Sequence, residues 1–366
     1  MDYSVVCCPK IWKQERSLRM SKLMRVAMYY NNGDVRLEEM EAPRAGPGEL
    51  LVQIFASSIC GSDIMEWYRI KRAPLVLGHE IAGRIVEAGD GVVEFHEGDR
   101  VVATHHVPCF ACHYCRSGHE TVCDTLLGGT HFDPGGFCEY VRLPAINVER
   151  GTWLLPDEVT YEAATFVEPL ACVLRGQRAA GIQPGASVLV LGSGIAGLLH
   201  IKLALANGAG MVVATDLSNE RLELARQYGA HHALSADSDV PQAFKKLNNG
   251  RGADVVIVCA TAETVCQQAF QAVGRGGVVL LFAPTPSDTE VVLSINDVFW
   301  RRDVTVTTSY AASPDDCAEA LELIRSKRVE VDDMITHRLG LGDTGEGFRL
   351  VAEGAGSLKV IIKPQE

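Results

Sequence analysis

The sequence predicts an α/β protein with two domains, an all-β unit followed by a doubly wound parallel sheet. A chain of 366 residues is long enough to bury two cores. Short β-type runs separated by Gly, Pro and Asp turns extend to about Leu143, a pattern typical of a barrel-like all-β unit. After Pro184 and Gly185, continuous apolar strands alternate with helical stretches, which indicates parallel strands covered by helices on both faces.

Composition excludes several functional classes. Hydrophobic residues make up 47% of the chain and charged residues 22%, values typical of a globular protein. The net charge of -12 provides no basic field, and we therefore expect neither a nucleic-acid nor a membrane partner. The sequence has no apolar run near the ~20 residues that span a bilayer and no secretion signal, which predicts a cytoplasmic protein. In that compartment, twelve cysteines favour reduced thiols and metal ligands over disulfides.

The first domain is assigned to residues 24–165. Strands with alternating polarity are predicted at Met24–Tyr30 and Glu49–Ile59, and further β runs follow. Residues 1–23 lack this alternation and are interpreted as an N-terminal extension.

The second domain is assigned to residues 166–310. Beyond about residue 309, a predicted helix leads to two short strands whose β character matches the first domain better than the second. We therefore expect residues 311–366 to return to the first domain.

A glycine-rich motif follows the strand Ser187–Leu191 and opens a helix, the context that distinguishes a dinucleotide-binding turn from a chance match. In this motif, GSGIAG, Gly192 permits the tight turn, Gly194 lets the backbone approach a pyrophosphate, and Gly197 lets the helix pack on the strand. The residues between them, Ile195 and Ala196, are predicted to contact the cofactor as well.

Asp216 ends the next strand, about 20 residues after the motif. Its carboxylate can accept hydrogen bonds from the adenosine ribose and would repel a 2′-phosphate, which favours NAD over NADP. Arg221, five residues later, is either an adenine-stacking residue or an ordinary solvated helix residue.

Four cysteines follow the pattern C-x2-C-x2-C-x7-C, a spacing that can bring four thiolates to one tetrahedral zinc ion. Because four sulfurs leave no open coordination position, the predicted site is structural. An iron–sulfur cluster is the main alternative, although the proline that follows the bacterial ferredoxin run is absent. The ligands are Cys109, Cys112, Cys115 and Cys123.

A second set of metal-ligand residues is dispersed along the chain. Cys60 lies in CGSD, His79 and Glu80 lie in GHE, and Glu168 lies in FVEPLACVLRG. A thiolate, an imidazole and one or two carboxylates can hold zinc and leave room for a substrate, as a catalytic site requires.

These motifs together identify a family resemblance. GHEIAGRIVEAGDGV, the GDRVV after it, the four-cysteine pattern and GSGIAG with Asp216 resemble the zinc-dependent medium-chain alcohol dehydrogenases over nearly the whole chain. CGSD, GHE and EPLA are most similar to the sorbitol (L-iditol), threonine and related polyol dehydrogenase branch. The resemblance implies a GroES-like catalytic domain, a Rossmann domain and an active site in the cleft between them.

The resemblance also assigns roles to residues. It implies that Cys60 and His79 bind the catalytic zinc, whereas the third ligand is open between Glu80 and Glu168. Cys172, one helical turn after Glu168, is a weaker alternative that we interpret as a packing residue.

Ser62 occupies the family position whose hydroxyl relays the substrate proton. Many relatives continue the relay through a histidine three residues later, where this chain has Met65, whose thioether cannot titrate in this range. The exit route must therefore differ, through Glu66, another group or water. His105 and His106, just before the cysteine motif, are interpreted as ordinary strand-end histidines.

The sequence thus predicts an enzyme that transfers hydride from a secondary alcohol, such as a polyol or cyclitol, to NAD, with one catalytic and one structural zinc per subunit. One alternative is an amino alcohol such as threonine, or a ring-hydroxyl acyl-CoA, for which Lys71 and Arg72 are candidate anion-binding residues. A remoter alternative is a non-catalytic zinc protein. The resemblance alone implies a homodimer or homotetramer.

Overall fold

The chain forms an α/β structure in a computed structural model that describes residues 22–128, 132–286, 289–354 and 356–366. The predicted fold class, a β-rich part joined to a doubly wound parallel sheet, is confirmed. Of the predicted extension, residues 1–21 lie outside the described residues, and the first strand already includes Leu23.

The strands of the β-rich first part are β1 (Leu23–Asn31), β2 (Asp34–Glu41), β3 (Leu50–Ser58), β4 (Leu75–Val76), β5 (Glu80–Ala88), β6 (Arg100–Ala103), β7 (Tyr140–Leu143) and β8 (Thr152–Leu154). The strands of the remainder are β9 (Ser187–Leu191), β10 (Met211–Asp216), β11 (His232–Ser235), β12 (Ala253–Val258), β13 (Val273–Leu281), β14 (Thr305–Thr308), β15 (Ile335–Gly340) and β16 (Lys359–Lys363).

The helices before β9 are α1 (Glu66–Arg69), α2 (His113–Arg116), α3 (Asp124–Gly128), α4 (Ala145–Arg150), α5 (Tyr161–Ala164) and α6 (Val167–Ala179). The later helices are α7 (Ile195–Ala206), α8 (Asn219–Gln227), α9 (Val240–Leu247), α10 (Glu263–Ala272), α11 (Ile295–Val298), α12 (Pro314–Arg325) and α13 (Thr344–Glu353).

The β-rich part contains a seven-stranded sheet in the order β15-β16-β3-β5-β6-β8, with β7 also paired to β3. A three-stranded sheet, β2-β1-β4, lies beside it. The final strands of the chain belong to the larger sheet because β16 pairs antiparallel with β3, with Ile361 opposite Ser58. The domain boundaries themselves stay a prediction.

The second sheet has the order β11-β10-β9-β12-β13-β14, and its strand pairs are parallel. All five residues of β9 are buried, as expected of a central strand covered by helices on both faces. The strand order reverses between β9 and β12, the point where doubly wound sheets bind dinucleotides at the carboxyl ends of the strands.

Helix α6 joins the two sheets. It packs against α7 and α12, and its apolar residues share one core with Ala56 and Ala82 of the seven-stranded sheet and with Val188 of the parallel sheet. Glu168 lies in the first turn of this helix, and the fold therefore brings it to the junction of the two sheets. None of the described helices has the length and apolar character needed to cross a membrane.

Candidate active site and metal centres

The pairing of β3 with β5 gathers the first group of metal-ligand residues. Ser58 lies opposite Glu80 in this register, which brings Cys60, just beyond β3, towards His79, just before β5. The ligand atoms of Cys60, His79 and Glu80 all lie within 4.8 Å of one another. One thiol, one imidazole and one carboxylate in this compact arrangement fit a zinc ion.

Asp63, which sequence analysis did not select, orients two of these ligands. Its carboxylate is fully buried, lies 3.4 Å from Nδ1 of His79, and accepts a 3.0 Å hydrogen bond from the backbone N–H of Cys60. A carboxylate that holds one ring nitrogen fixes the orientation of the other nitrogen towards a metal. Burial lowers the pKa of His79, but its interactions with Asp63 and Cys60 outweigh burial and raise this pKa well above its usual 6.5.

Glu80 forms a buried ion pair with Lys359 of β16. Nζ of Lys359 lies 2.5 Å from Oε2 of Glu80, and the Ser58 hydroxyl donates to the same oxygen. Burial raises the pKa of the Glu80 carboxyl, whereas the positive charge of Lys359 opposes that rise. The other oxygen, Oε1, is buried and has no hydrogen-bond partner among the described residues. A buried carboxylate oxygen without a partner is the donor expected of a metal ligand.

Glu168 belongs to a neighbouring group. Its Oε1 lies 3.3 Å from Nδ1 of His106 and accepts a 3.4 Å hydrogen bond from the thiol of Cys172. The ligand atoms of His106, Glu168 and Cys172 also lie within 4.8 Å of one another. Burial raises the pKa of Glu168, but the contact with His106 and the charge of His79 outweigh it and lower this pKa to about 2.

The two groups are close neighbours, and together they are called the cleft below. Glu168 raises the pKa of Glu80 through its charge, and His79 acts electrostatically on Glu168. The imidazole ring of His105 lies between the two groups. Its centroid is 4.9 Å from that of His79 and 3.8 Å from that of His106. The structure therefore brings Cys60, His79 and Glu80 together, with Glu168 beside them rather than among them.

The loop that contains the predicted relay serine is held by Arg69. The Ser62 hydroxyl accepts a 3.0 Å hydrogen bond from Nη2 of Arg69. Glu66, a candidate for the proton exit, accepts instead from the backbone N–H of Asn32 at 3.1 Å. Trp67, the residue after Glu66 in helix α1, is 45% exposed.

The four-cysteine lobe, residues 108–123, converges as its spacing predicts. The Sγ atoms of Cys109, Cys112, Cys115 and Cys123 lie within 4.8 Å of one another, with separations of 3.5, 3.6 and 4.0 Å among three of the pairs. Tetrahedral zinc with ligands at about 2.3 Å requires sulfur separations of about 3.8 Å. The backbone N–H groups of Ala111 and of Cys112 lower the pKa of the Cys109 thiol. All ten described cysteines are free.

The glycine-rich turn has the conformation that a dinucleotide needs. Gly192 has φ +100°, which only glycine adopts readily, and a Cβ on Gly197 would lie 1.9 Å from the carbonyl oxygen of Gly192. A Cβ on Gly194 would meet only the Arg221 side chain, at 3.8 Å. The space in front of the N-terminus of α7 is thus open, as a pyrophosphate group requires.

Asp216 lies directly beside this turn. Its carboxylate accepts 2.8 Å and 2.9 Å hydrogen bonds from the backbone N–H groups of Ser193 and Ser218. Each oxygen keeps a further lone pair for a ribose hydroxyl. Arg221 donates to the carbonyl oxygen of Gly354 at 2.9 Å, which ties α8 to the C-terminal part of the chain.

Sequence comparison agrees with this geometry. Residues 46–156 match the family described as the alcohol dehydrogenase GroES-like domain, and residues 196–326 match the family described as zinc-binding dehydrogenase. The chain is 34% identical over 357 residues to L-threonine 3-dehydrogenase of Pyrococcus abyssi, a match that covers 92% of this chain and 97% of that protein. It is 33% identical over 341 residues to sorbitol dehydrogenase of Bos taurus, with 90% and 93% of the two chains covered.

Structural comparison gives the same result. The crystal structure of 2R,3R-butanediol dehydrogenase from Bacillus subtilis matches with a TM-score of 0.81 and 29% identity, over 93% of this chain and 99% of that one. The predictions of a GroES-like domain, a Rossmann domain, an NAD-dependent enzyme and zinc as a cofactor are thereby confirmed. The chain belongs to the zinc-dependent medium-chain alcohol dehydrogenase family, in its sorbitol and threonine dehydrogenase-like branch.

Proposed function

We propose that this enzyme oxidises a secondary alcohol of the polyol or cyclitol class to its ketone, with NAD as the hydride acceptor. The observation that carries the proposal is the group of Cys60, His79 and Glu80, in which a buried carboxylate oxygen has no hydrogen-bond partner in the described part of the chain. Zinc in this group would supply Lewis acidity to an alcohol oxygen, and NAD would accept the hydride.

Glu80, rather than Glu168, is the proposed third ligand of the catalytic zinc. Lys359 and Ser58 both bind Oε2 of Glu80 and leave Oε1 for the metal. Glu168 is engaged by His106 and Cys172, and its low pKa keeps it ionised beside the same cleft. Its proposed role is to orient the substrate, or the water that precedes it, by accepting a hydrogen bond.

The cofactor side of the cleft uses the GSGIAG turn and Asp216. The pyrophosphate would lie against the backbone at Gly194, where backbone N–H groups can donate to it. The Asp216 carboxylate would accept hydrogen bonds from the adenosine ribose. The same Asp216 carboxylate would repel a 2′-phosphate, and this is the basis for preferring NAD to NADP.

An amino alcohol is the second candidate substrate. Arg69 lies against Ser62 with only 17% of its side chain exposed, and a partly buried guanidinium can bind a substrate carboxylate. The similarity to L-threonine 3-dehydrogenase, at 34% identity, supports the same possibility.

The assembly proposed here is a homodimer or homotetramer in the cytoplasm. Strand β14 is an edge of the parallel sheet and pairs, within the described chain, with β13 alone. Val306 on this strand is partly exposed, and Trp300 just before it is 68% exposed. An exposed edge strand has unpaired backbone groups, which favours pairing with a second copy. Light scattering after gel filtration measures the subunit number, and a monomer at micromolar concentration would contradict this proposal.

The activity is tested with purified protein of known metal content. We expect two zinc ions per subunit and NADH release with members of a panel that contains sorbitol, 2,3-butanediol, a cyclitol and threonine. NADP should support a lower kcat/KM than NAD with the same alcohol. Full activity in zinc-free protein would overturn the mechanism, and threonine as the sole substrate would favour the second candidate.

A further inference from the structure

Arg69 is the last residue of helix α1 and lies against the loop that runs from Cys60 to Asp63. Its Nε donates to the carbonyl oxygen of Ser62 at 2.9 Å, and its Nη2 donates to the hydroxyl oxygen of Ser62 at 3.0 Å. The guanidinium also lies over the Tyr68 ring, 4.9 Å from its centroid. A side chain that is 17% exposed and makes a bidentate contact with one residue is held in place rather than solvated.

The contact limits how the Ser62 hydroxyl can rotate. A serine hydroxyl has one O–H group and two lone pairs, and arginine is a donor only. Arg69 therefore occupies one lone pair of Ser62 and prevents the O–H from pointing towards the guanidinium. One lone pair and the O–H remain, and these are the two functions that a proton relay needs, one to accept a proton and one to donate.

We propose that Arg69 is a positioning residue that fixes the Ser62 hydroxyl for proton transfer from the alcohol. The inference rests on the proposed alcohol oxidation and on Ser62 as its relay. As the alcohol O–H bond breaks, its proton passes to Oγ of Ser62 while the original Ser62 proton leaves to a water molecule. Arg69 neither gains nor loses a proton, because its guanidinium stays charged at any accessible pH. Its charge favours departure of the Ser62 proton slightly ahead of arrival of the alcohol proton, because a nearby cation stabilises the partial negative charge that Oγ then carries.

The residue at position 65 makes this support more important. Met65 offers no group that can take the proton from Ser62, and the Glu66 carboxylate is bound to the backbone of Asn32. Because neither of these two side chains can draw the proton onwards, the orientation and charge environment of the Ser62 hydroxyl should have a larger influence on the rate of the step.

A second role for Arg69 must be separated from the first. Its Nη2 lies 3.6 Å from Oδ1 of Asp63, the same oxygen that lies 3.4 Å from His79. Loss of Arg69 could therefore disturb the zinc ligand His79 through Asp63. Zinc content distinguishes this route from an effect on Ser62.

The test is a double-mutant cycle in the zinc-loaded protein. Arg69→Met, Arg69→Lys and Ser62→Ala are compared singly, and each Arg69 variant is combined with Ser62→Ala. Arg84→Met is the matched control, because Arg84 is also a cation over an aromatic ring, 5.5 Å from the Phe55 centroid, but lies on strand β5 away from Ser62. Metal content and Tm are measured for every variant.

We expect Arg69→Met to lower kcat about 10- to 100-fold with little change in KM, the loss typical of a hydrogen bond to a charged group. Arg69→Lys should recover part of the loss, and Arg69→Met should cost nothing further in the Ser62→Ala background. Two zinc ions per subunit should remain. In the metal-free protein, ¹⁵N NMR should show slowed rotation of the Arg69 guanidinium that becomes faster in Ser62→Ala, because the Nη2 contact is removed while the Nε contact with the Ser62 carbonyl oxygen remains.

Three results would overturn the inference while leaving the proposed function intact. These are an unchanged kcat in Arg69→Met, an equal loss in the presence and absence of Ser62, and a loss of zinc that accounts for the loss of activity. If Arg69→Met fails to fold, Arg69→Lys and the NMR measurement decide the question. A wild-type protein that releases no NADH with any alcohol would overturn both the proposed function and this inference.

Discussion

The two candidate metal centres are built in opposite ways. The lobe of residues 108–123 draws its four ligands from fifteen consecutive residues, three of them partly exposed. The cleft draws its ligands and their supports from β3, β5, α6 and β16, and its carboxylates are buried. A local loop can wrap around an ion by itself, whereas the cleft needs the whole tertiary structure to bring its donors together. The first arrangement suits stability, and the second suits chemistry that excludes water.

Replacement of a cleft ligand should have the largest effect on activity. Cys60→Ser removes one of the grouped donors, and we expect kcat/KM to fall by a factor on the order of 10³ or more, because the Lewis acid is lost. Metal analysis should show one remaining zinc ion per subunit, in the lobe, with little change in Tm.

Cys138→Ser, at a buried cysteine outside both groups, should keep both ions and the activity. Retention of activity in Cys60→Ser would contradict the prediction that the cleft is the catalytic centre.

Removal of the positive charge of Lys359, which pairs with Glu80, should have the largest effect on the free energy of unfolding. Lys359→Met leaves the Glu80 carboxylate buried without its ion pair, which costs about 3–5 kcal/mol of unfolding free energy. Urea unfolding measures this cost, and the zinc affinity of the cleft should fall with it. Glu80→Gln in the same chain should restore part of the stability but not the zinc.

Lys363→Met is the matched control, because Lys363 ends the same strand and is 28% exposed. Equal losses for the two lysine variants would mean that the ion pair with Glu80 has no special weight.

Loss of a lobe ligand should have a smaller and more local effect. Cys112→Ser should cost about 2 kcal/mol, because a partly exposed lobe can unfold without the two sheets. Protease cleavage between residues 109 and 123 should accelerate, while kcat per folded molecule stays near that of the wild type. Arg116→Ala, on the exposed surface of the same lobe, should change neither. A collapse of kcat in Cys112→Ser would show that the lobe contributes to the cleft.

Replacement of Glu168 and replacement of Glu80 should affect zinc binding differently. Glu168→Gln should retain both zinc ions and lower kcat/KM about tenfold, because the contact with His106 is weakened but no proposed ligand is lost. Glu80→Gln should lose the cleft zinc under the same dialysis conditions. The opposite pattern, with zinc lost only from Glu168→Gln, would identify Glu168 as the third ligand.

The sequence predicts the local features of this molecule well. The four cysteines and GSGIAG each lie in one short segment, and backbone geometry converts their spacing directly into a compact group of thiols and a tight turn. Strand Ser187–Leu191 and Asp216 at the end of the next strand were predicted as they occur, because buried parallel strands have a distinctive apolar pattern.

The supports of the cleft were missed for a physical reason. Lys359 is 279 residues from Glu80. No periodic pattern in the sequence connects a lysine in one short strand with a carboxylate in a distant strand. His106 was interpreted as an ordinary strand-end histidine, yet it lies against Glu168 because α6 packs at the junction of the sheets. Asp63 lies only three residues from Cys60 in CGSD, and its acidic character beside a predicted ligand was the one signal that could have identified it.

The position of Lys359 in the last strand sets an order for biosynthesis. A nascent chain has all four lobe cysteines by residue 123, and a local loop can capture its ion early. The candidate catalytic centre must wait for β16 to join β3, which cannot happen before residues 359–363 have been made. Translation products interrupted between residue 123 and β16 would hence carry a single ion and no working centre, and metal stoichiometry would report whether synthesis had passed β16.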